Sequence, residues 1–161
     1  MSRNVVIVDG YRTAFGRIGG SLRQFYPTEL SGFVIKGLCE KTGILEKAKV
    51  DCVYAGSALH DAHCNNFARI ASLYGGLPYE TRAHYVEMQC GSGIDCINHA
   101  AWQIKAGEAD IVIAGGAESF SQKFAKFSTS VEPYKMINPS ALPRAHPRPA
   151  ARENHPHEPE P

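Results

Sequence analysis

The sequence has little charge imbalance, a single tryptophan and no long apolar run. Its 17 Lys and Arg side chains stand against 16 Asp and Glu side chains, so it lacks the basic excess typical of nucleic-acid-binding domains. No apolar run approaches the roughly 20 residues that a membrane helix needs, and the opening residues have neither a signal-peptide nor a transit-peptide pattern. We therefore expect no nucleic-acid partner and no membrane partner.

Cysteines are few and follow no framework. The five cysteines are an odd number at irregular spacing, in a chain long enough to bury a core without disulfides. This usage is typical of a reducing compartment and predicts a cytoplasmic location.

Metal ligands are equally sparse. The one dense group of ligand-type side chains is His60, Asp61, His63 and Cys64. A structural zinc site takes four ligands, usually from two separated pairs. Because no second Cys or His pair stands at an interpretable distance, a solvated loop is favoured over a zinc site. We expect neither a metal nor a cofactor.

Glycine and bulky apolar residues are missing from the end of the chain. Residues 133–161 hold eight of the ten prolines, none of the 15 glycines, and no Val, Phe or Trp. Proline fixes φ and lacks a backbone donor, so this segment can continue neither a helix nor a central strand. We expect a folded domain over residues 1–127, a transition over 128–137, and a disordered Pro-, Arg- and His-rich tail over 138–161.

The residues before this tail alternate short apolar runs with helical patterns. Such alternation predicts a layered α/β domain with a mostly parallel sheet. Strands are predicted at 5–9, 50–57, 84–89 and 111–114, and helices at 28–42, 65–74 and 93–106.

Chemistry in such domains gathers where a strand ends and a helix begins. Cys90 lies at one of these junctions, followed by Gly91, Ser92 and Gly93. A helix N-terminus stabilises a thiolate, and its first N–H groups can face an oxyanion. Glycines there leave room for a bulky thioester. Cys90 is therefore a candidate nucleophile, although on position alone a small buried residue with no chemical role, the usual fate of a free cysteine, is the favoured interpretation.

A series of motifs in fixed order resembles the thiolase family. The resemblance covers residues 3–135 and implies an acyl-CoA acyltransferase whose nucleophile corresponds to Cys90. Two positions depart from the family pattern: Gln89, where hydrophobic residues are more usual, and Phe67, where proline is common. The motifs include VVIV at 5–8, RTAFG at 12–16, NFAR at 66–69, CGSG at 90–93, AGEAD at 106–110 and AGGAES at 114–119.

The resemblance also implies a fold and a reaction. The chain corresponds to the N-terminal half of a thiolase, with residues 128–137 as the start of the family's loop domain, and an intact member forms homo-oligomers. An acyl group moves between coenzyme A and a 3-ketoacyl-CoA through a Cys90 acyl-enzyme, in the degradative or the condensing direction. Acyl-CoA and coenzyme A are then substrates.

A different class of function competes with this one. The family's second half supplies a histidine in a Gly-His-Pro setting, a second cysteine and an asparagine, and none of these motifs occurs in this sequence. The alternative is a catalytically silent fragment able at most to bind a partner thiolase. Ketoacyl synthases are a weaker rival, because their cysteine has different sequence neighbours. We expect Cys96 to form no redox pair with Cys90, and His99 and Trp102 to be packing residues.

Overall fold

A computed structural model of the chain describes residues 3–59 and 64–122. These residues belong to a compact unit that spans Met1–Phe124. The predicted transition at 128–137 and the predicted tail at 138–161 lie outside the described residues. In chain order the elements are α1 (Pro27–Thr42), α2 (Ile44–Lys47), β1 (Cys52–Gly56), α3 (Phe67–Tyr74), β2 (Arg82–Val86), α4 (Ser92–Ala106), β3 (Val112–Gly116) and a 3-10 turn (Phe120–Gln122).

The three strands form one parallel sheet in the order β2-β1-β3. Gly56, the last residue of β1, pairs with Val86 of β2 on one side and with Gly116 of β3 on the other. The strands therefore end level with one another, and the loops that follow them meet at one edge of the sheet, called here the carboxyl edge. The predicted α/β fold with a parallel sheet is confirmed.

Helix α3 packs on the sheet, helix α1 packs on α3, and both helices contribute side chains to the core. Pro27 opens α1, Glu29 Oε2 accepts the N–H of Tyr26 at 2.8 Å, and Gly43 ends the helix at φ 61°. The core that these helices form with the sheet buries the side chains of Ile35, Cys39, Val50, Val53, Ala55, Phe67, Ala68, Ala71 and Leu77.

The predicted strand at 5–9 is wrong. Residues 3–17 form neither helix nor strand, and the side chains of Val6, Ile7 and Val8 are 72%, 82% and 87% exposed. The segment lines a cavity of about 1430 Å³ whose other walls include Val53 and Ile113, so its apolar side chains gain little burial. β-Branched residues favour a strand because they fit the half-buried surface of a sheet. Without a neighbouring strand to pair with, the same residues need not form one.

Other boundaries shift by a few residues. The strand predicted at 84–89 starts and ends earlier, as β2 (Arg82–Val86), because the chain turns at Glu87 towards α4. The helix predicted from residue 65 begins at Phe67, since the side chain of Asn66 caps it by accepting the N–H of Arg69 at 3.0 Å.

Candidate functional site

Cys90 lies at the carboxyl edge, in the turn that joins β2 to α4. It is exposed to solvent, whereas Cys39, Cys52 and Cys96 are buried and Cys64 is half-buried. Gly91, the next residue, is the N-cap of α4. The structure therefore places an accessible thiol at the N-terminus of a 15-residue helix, as the sequence predicted.

The turn before Cys90 has an unusual backbone. Gln89 has φ 49°, the only positive φ among the non-glycine residues that the structure describes. The carboxylate Oε1 of Glu87 accepts the Gln89 backbone N–H at 2.8 Å and its side-chain Nε2–H at 3.1 Å. Gln89 departs from the family pattern in the sequence, but no sequence signal identifies Glu87 as its partner.

Ser92 closes the turn from the other side of Cys90. Its Oγ donates to the Gln89 carbonyl at 2.7 Å and accepts the N–H of Met88 at 2.9 Å. Ser92 also contacts the end of β1, because a Cβ added at Gly56 would lie 2.8 Å from Ser92 Cβ. The sheet therefore supports the first turn of α4, and Gly56 is the residue that permits the close approach.

The start of α4 offers hydrogen-bond donors beside open space. The backbone N–H groups of Gly93 and Ile94 donate no hydrogen bond within the described part of the chain. A Cβ added at Gly93 would meet no atom within 4 Å. Unsatisfied N–H groups at a helix N-terminus carry a partial positive charge and can stabilise an oxyanion. The turn can therefore receive a carbonyl compound next to the thiol.

A second polar cluster at the carboxyl edge joins the loop after β1 to the loop after β3. Glu118 accepts hydrogen bonds from Ser57 Oγ at 2.6 Å, from Ala58 N–H at 2.8 Å and from Leu59 N–H at 3.1 Å. Tyr85 of β2 donates from its hydroxyl to the Ser57 carbonyl at 2.7 Å. Burial, followed by the nearby carboxylates of Glu87 and Glu118, raises the pKa of Tyr85. Glu118 belongs to the AGGAES motif at 114–119, but the motif does not indicate these contacts.

His99, Trp102 and Cys96 lie on α4, beyond the turn that holds Cys90. His99 stacks on Tyr54 with ring centroids 5.6 Å apart, meets the edge of Trp102 at 5.2 Å, and has its Nε2 3.5 Å from Asp95 Oδ2. These contacts agree with the predicted packing role of His99, whereas Trp102 contacts His99 but is itself 57% exposed. Cys96 is fully buried, and burial raises the pKa of its thiol to about 11.

The predicted loop at His60, Asp61 and His63 lies outside the described residues, whereas Cys64 is described. Within residues 3–59 and 64–122, no group of three or more His, Cys, Asp or Glu side chains could hold a metal ion. None of the helices in those ranges is long and apolar enough to span a membrane.

The fold and the turn together define an α/β domain with an exposed cysteine at a strand-to-helix junction. The family model described as "Thiolase, N-terminal domain" matches residues 5–142. The chain therefore belongs to the thiolase family, and it matches that family's N-terminal domain.

Curated relatives agree with this assignment. An acetyl-CoA acetyltransferase of Allochromatium vinosum is 42% identical over 122 residues, which are 76% of this chain and 31% of that protein. An acetyl-CoA acetyltransferase of Chromobacterium violaceum is 45% identical over 117 residues (73% and 30%), and a beta-ketoadipyl-CoA thiolase of Pseudomonas knackmussii is 40% identical over 123 residues (76% and 31%).

A solved structure shows the same fold. The acetyl-CoA acetyltransferase of Bacillus anthracis superposes with a TM-score of 0.77 and 31% sequence identity, over 85% of this chain and 34% of that one. The chain thus spans about a third of the length of the thiolases that it matches.

Proposed function

We propose that this domain supplies the acyl-accepting cysteine of a thiolase reaction. The observation that carries the proposal is the exposed Cys90 thiol, held at the N-terminus of α4 in a chain of this family. The relatives named acetyl-CoA acetyltransferase and beta-ketoadipyl-CoA thiolase support thioesters of coenzyme A as the substrate class.

In the proposed first step, the Cys90 thiolate attacks the keto carbon of a 3-ketoacyl-CoA. The S–C bond forms, and negative charge develops on the carbonyl oxygen, which the N–H groups at the start of α4 can stabilise. The C2–C3 bond then breaks, and the departing carbon takes a proton and leaves as acetyl-CoA. The acyl group stays on sulfur until coenzyme A accepts it, which restores the thiol. In the condensing direction, Cys90 is acetylated first.

The same proposal covers partners and location. Acyl-CoA and coenzyme A are the small-molecule partners, and neither nucleic acid nor a membrane takes part. The intact family member is a homo-oligomer in the cytoplasm.

The motifs present in these 161 residues favour a restricted form of this activity for the purified chain. Carbanion chemistry needs an acid or base besides the nucleophile, and the family's motifs for those groups do not occur in this sequence. The 161-residue chain also covers about 31% of its curated relatives. We therefore propose that the purified chain accepts one acyl group on Cys90 and does not turn over. The competing hypothesis is a silent fragment that is not acylated and at most binds a partner thiolase.

Acyl transfer to the purified chain tests both hypotheses. The chain is incubated with acetyl-CoA, and intact-mass and peptide-mapping mass spectrometry locate the acetyl group. We expect one acetyl group on Cys90, none on Cys90→Ala, and no change for Cys64→Ala, which removes a half-buried thiol. Absence of the adduct, or an adduct on another cysteine, would contradict the proposed nucleophile. Multiple turnovers that Cys90→Ala abolishes would contradict the restriction to a single acylation.

A further inference from the structure

The backbone at Gln89 is costly for a residue that has a side chain. A left-handed conformation brings Cβ close to the carbonyl oxygen, so residues other than glycine keep it only where their surroundings impose it. Gln89 and its neighbours Glu87, Met88 and Cys90 are all exposed, so core packing does not impose the conformation. The constraint has to come from hydrogen bonds.

Glu87 makes the hydrogen bonds that act on Gln89 directly. One carboxylate oxygen, Oε1, accepts both the backbone N–H and the side-chain N–H of Gln89, at 2.8 and 3.1 Å. Glu87 lies two residues before Gln89, and its Oε1 atom holds both the backbone N–H and the side-chain amide of Gln89. We call this pair of hydrogen bonds the clamp. On the other side of Gln89, its carbonyl is already fixed by Ser92 Oγ at 2.7 Å.

We propose that Glu87 is a positioning residue for the reaction of Cys90, acting through Gln89. Its carboxylate holds Gln89 at positive φ, and this φ sets the direction in which the chain presents Cys90 to the N-terminus of α4. Glu87 itself touches no reacting atom. The proposal rests on the proposed function, because it assigns the geometry of that same nucleophile.

A double-mutant cycle separates positioning from other roles of Glu87. Glycine adopts positive φ without strain, so Gln89→Gly removes the need for the clamp. We expect Glu87→Ala to slow Cys90 acetylation by acetyl-CoA about tenfold in the parent chain and less than about twofold in the Gln89→Gly background. An equal decrease in both backgrounds, or no decrease in the parent, would overturn the proposal.

Two further variants test charge and nonspecific effects. Glu87→Gln keeps an acceptor oxygen without the negative charge, so it should retain more of the acetylation rate than Glu87→Ala does. If Glu87 acted through its charge alone, both variants would change the rate in the same direction by similar factors. Glu80→Ala, which removes another exposed carboxylate, is the matched control. If Glu87→Ala alone fails to fold, recovery of folding in the double variant is the same rescue, and its absence overturns the proposal.

The same double-mutant cycle can be measured with iodoacetamide, which alkylates Cys90 without any acyl transfer. This reaction needs the presented thiolate but no coenzyme A site. The same rescue by Gln89→Gly is expected in the alkylation rates. If the parent chain is alkylated at Cys90 but never acetylated, the proposed function fails while the cycle still decides the role of Glu87. If both reactions occur and Gln89→Gly gives no rescue in either, only the positioning role fails.

Discussion

Ser57 and Glu118, 61 positions apart in the sequence, are joined by a 2.6 Å hydrogen bond from Ser57 Oγ to Glu118 Oε1. Ser57 directly follows β1 and Glu118 lies two residues after β3, so the bond connects the carboxyl ends of two neighbouring strands. The carboxylate also accepts the N–H groups of Ala58 and Leu59. A single side chain therefore satisfies three donors in the loop that leaves the sheet beside the Cys90 turn.

Replacing Glu118 should loosen this loop. Glu118→Ala leaves the part-buried N–H groups of Ala58 and Leu59 without their acceptor, whereas the Ser57 hydroxyl can still donate to the Leu59 carbonyl at 3.2 Å. We expect the variant to lower the free energy of unfolding by about 1–3 kcal/mol. Hydrogen exchange at Ala58 and Leu59 should accelerate. Glu118→Gln retains one acceptor oxygen and should give a smaller change in both measurements, whereas the exposed Glu80→Ala should give none. Unchanged exchange at Ala58 in Glu118→Ala would show that the carboxylate does not hold the loop.

The five thiols should react in the order of their exposure. Iodoacetamide at pH 8 is expected to label Cys90 first and the half-buried Cys64 second. Cys39, Cys52 and Cys96 are buried, so the reagent does not reach them. Burial also raises the pKa of their thiols, which keeps them protonated at this pH. Peptide mapping over time gives the order, and labelling in denaturant shows that all five can react. Labelling of Cys39 or Cys52 before Cys90 would refute the assigned order.

Phe67 should be a major contributor to stability. It is fully buried at the first position of α3 and contacts Tyr85 at a ring-centroid distance of 6.0 Å. Phe67→Ala is expected to cost about 3–5 kcal/mol of unfolding free energy. Phe67→Pro should keep the helix start, because proline suits the first helical position, and still lose the packing.

Denaturant unfolding followed by circular dichroism measures both Phe67 variants. The control is Phe15→Ala, at a side chain that is 93% exposed with Arg12 4.6 Å above its ring, and it should cost less than about 1 kcal/mol. If Phe67→Pro were as stable as the parent, burial of the Phe67 ring would not contribute to stability, and the position would serve only to start the helix.

Patterns with a strong local signal were predictable from the sequence. The three main helices follow from their apolar periodicity and end residues, and α4 was predicted to within one residue of its observed bounds. Cys90 was identifiable as a candidate nucleophile because its signal is local: a cysteine, two glycines and a helix start within four residues. The thiolase resemblance, which the family match confirms, is the source of the acyl-transfer chemistry that we propose for Cys90.

Features that depend on distant partners were not predictable. The segment at 5–9 has a strand-like composition. To form a strand it must also hydrogen-bond to the edge strand of a sheet, and composition does not show whether that happens. Glu118 is bound by residues about 60 positions away, and no local pattern predicts that contact. Glu87 is closer to Cys90, yet its role depends on the positive φ of Gln89, a conformation that is uncommon for residues other than glycine.

Asp51 should make stability depend on acid pH. Its carboxylate Oδ2 accepts the backbone N–H of Asp110 at 2.9 Å and of Ile111 at 3.2 Å, which tie the start of β1 to the start of β3. These bonds, that of Asp110 first, lower the pKa of Asp51 below its ordinary value of 3.8. Because the folded-state pKa lies below the unfolded-state value, the stabilisation is complete above the unfolded-state pKa and disappears as pH falls through the folded-state pKa.

Comparison with Asp51→Asn isolates this contribution from other titrating groups. At pH 7 the parent should exceed Asp51→Asn by about 1 kcal/mol in unfolding free energy, and the difference should shrink steadily below pH ~4. Urea unfolding at a series of pH values measures it. The neighbouring Asp110→Asn removes a carboxylate that is 80% exposed and pairs with Arg3 on the surface, so it should change stability by less than about 1 kcal/mol. A difference between parent and Asp51→Asn that stays constant from pH 7 to pH 2 would show that the two N–H groups do not favour the charged carboxylate.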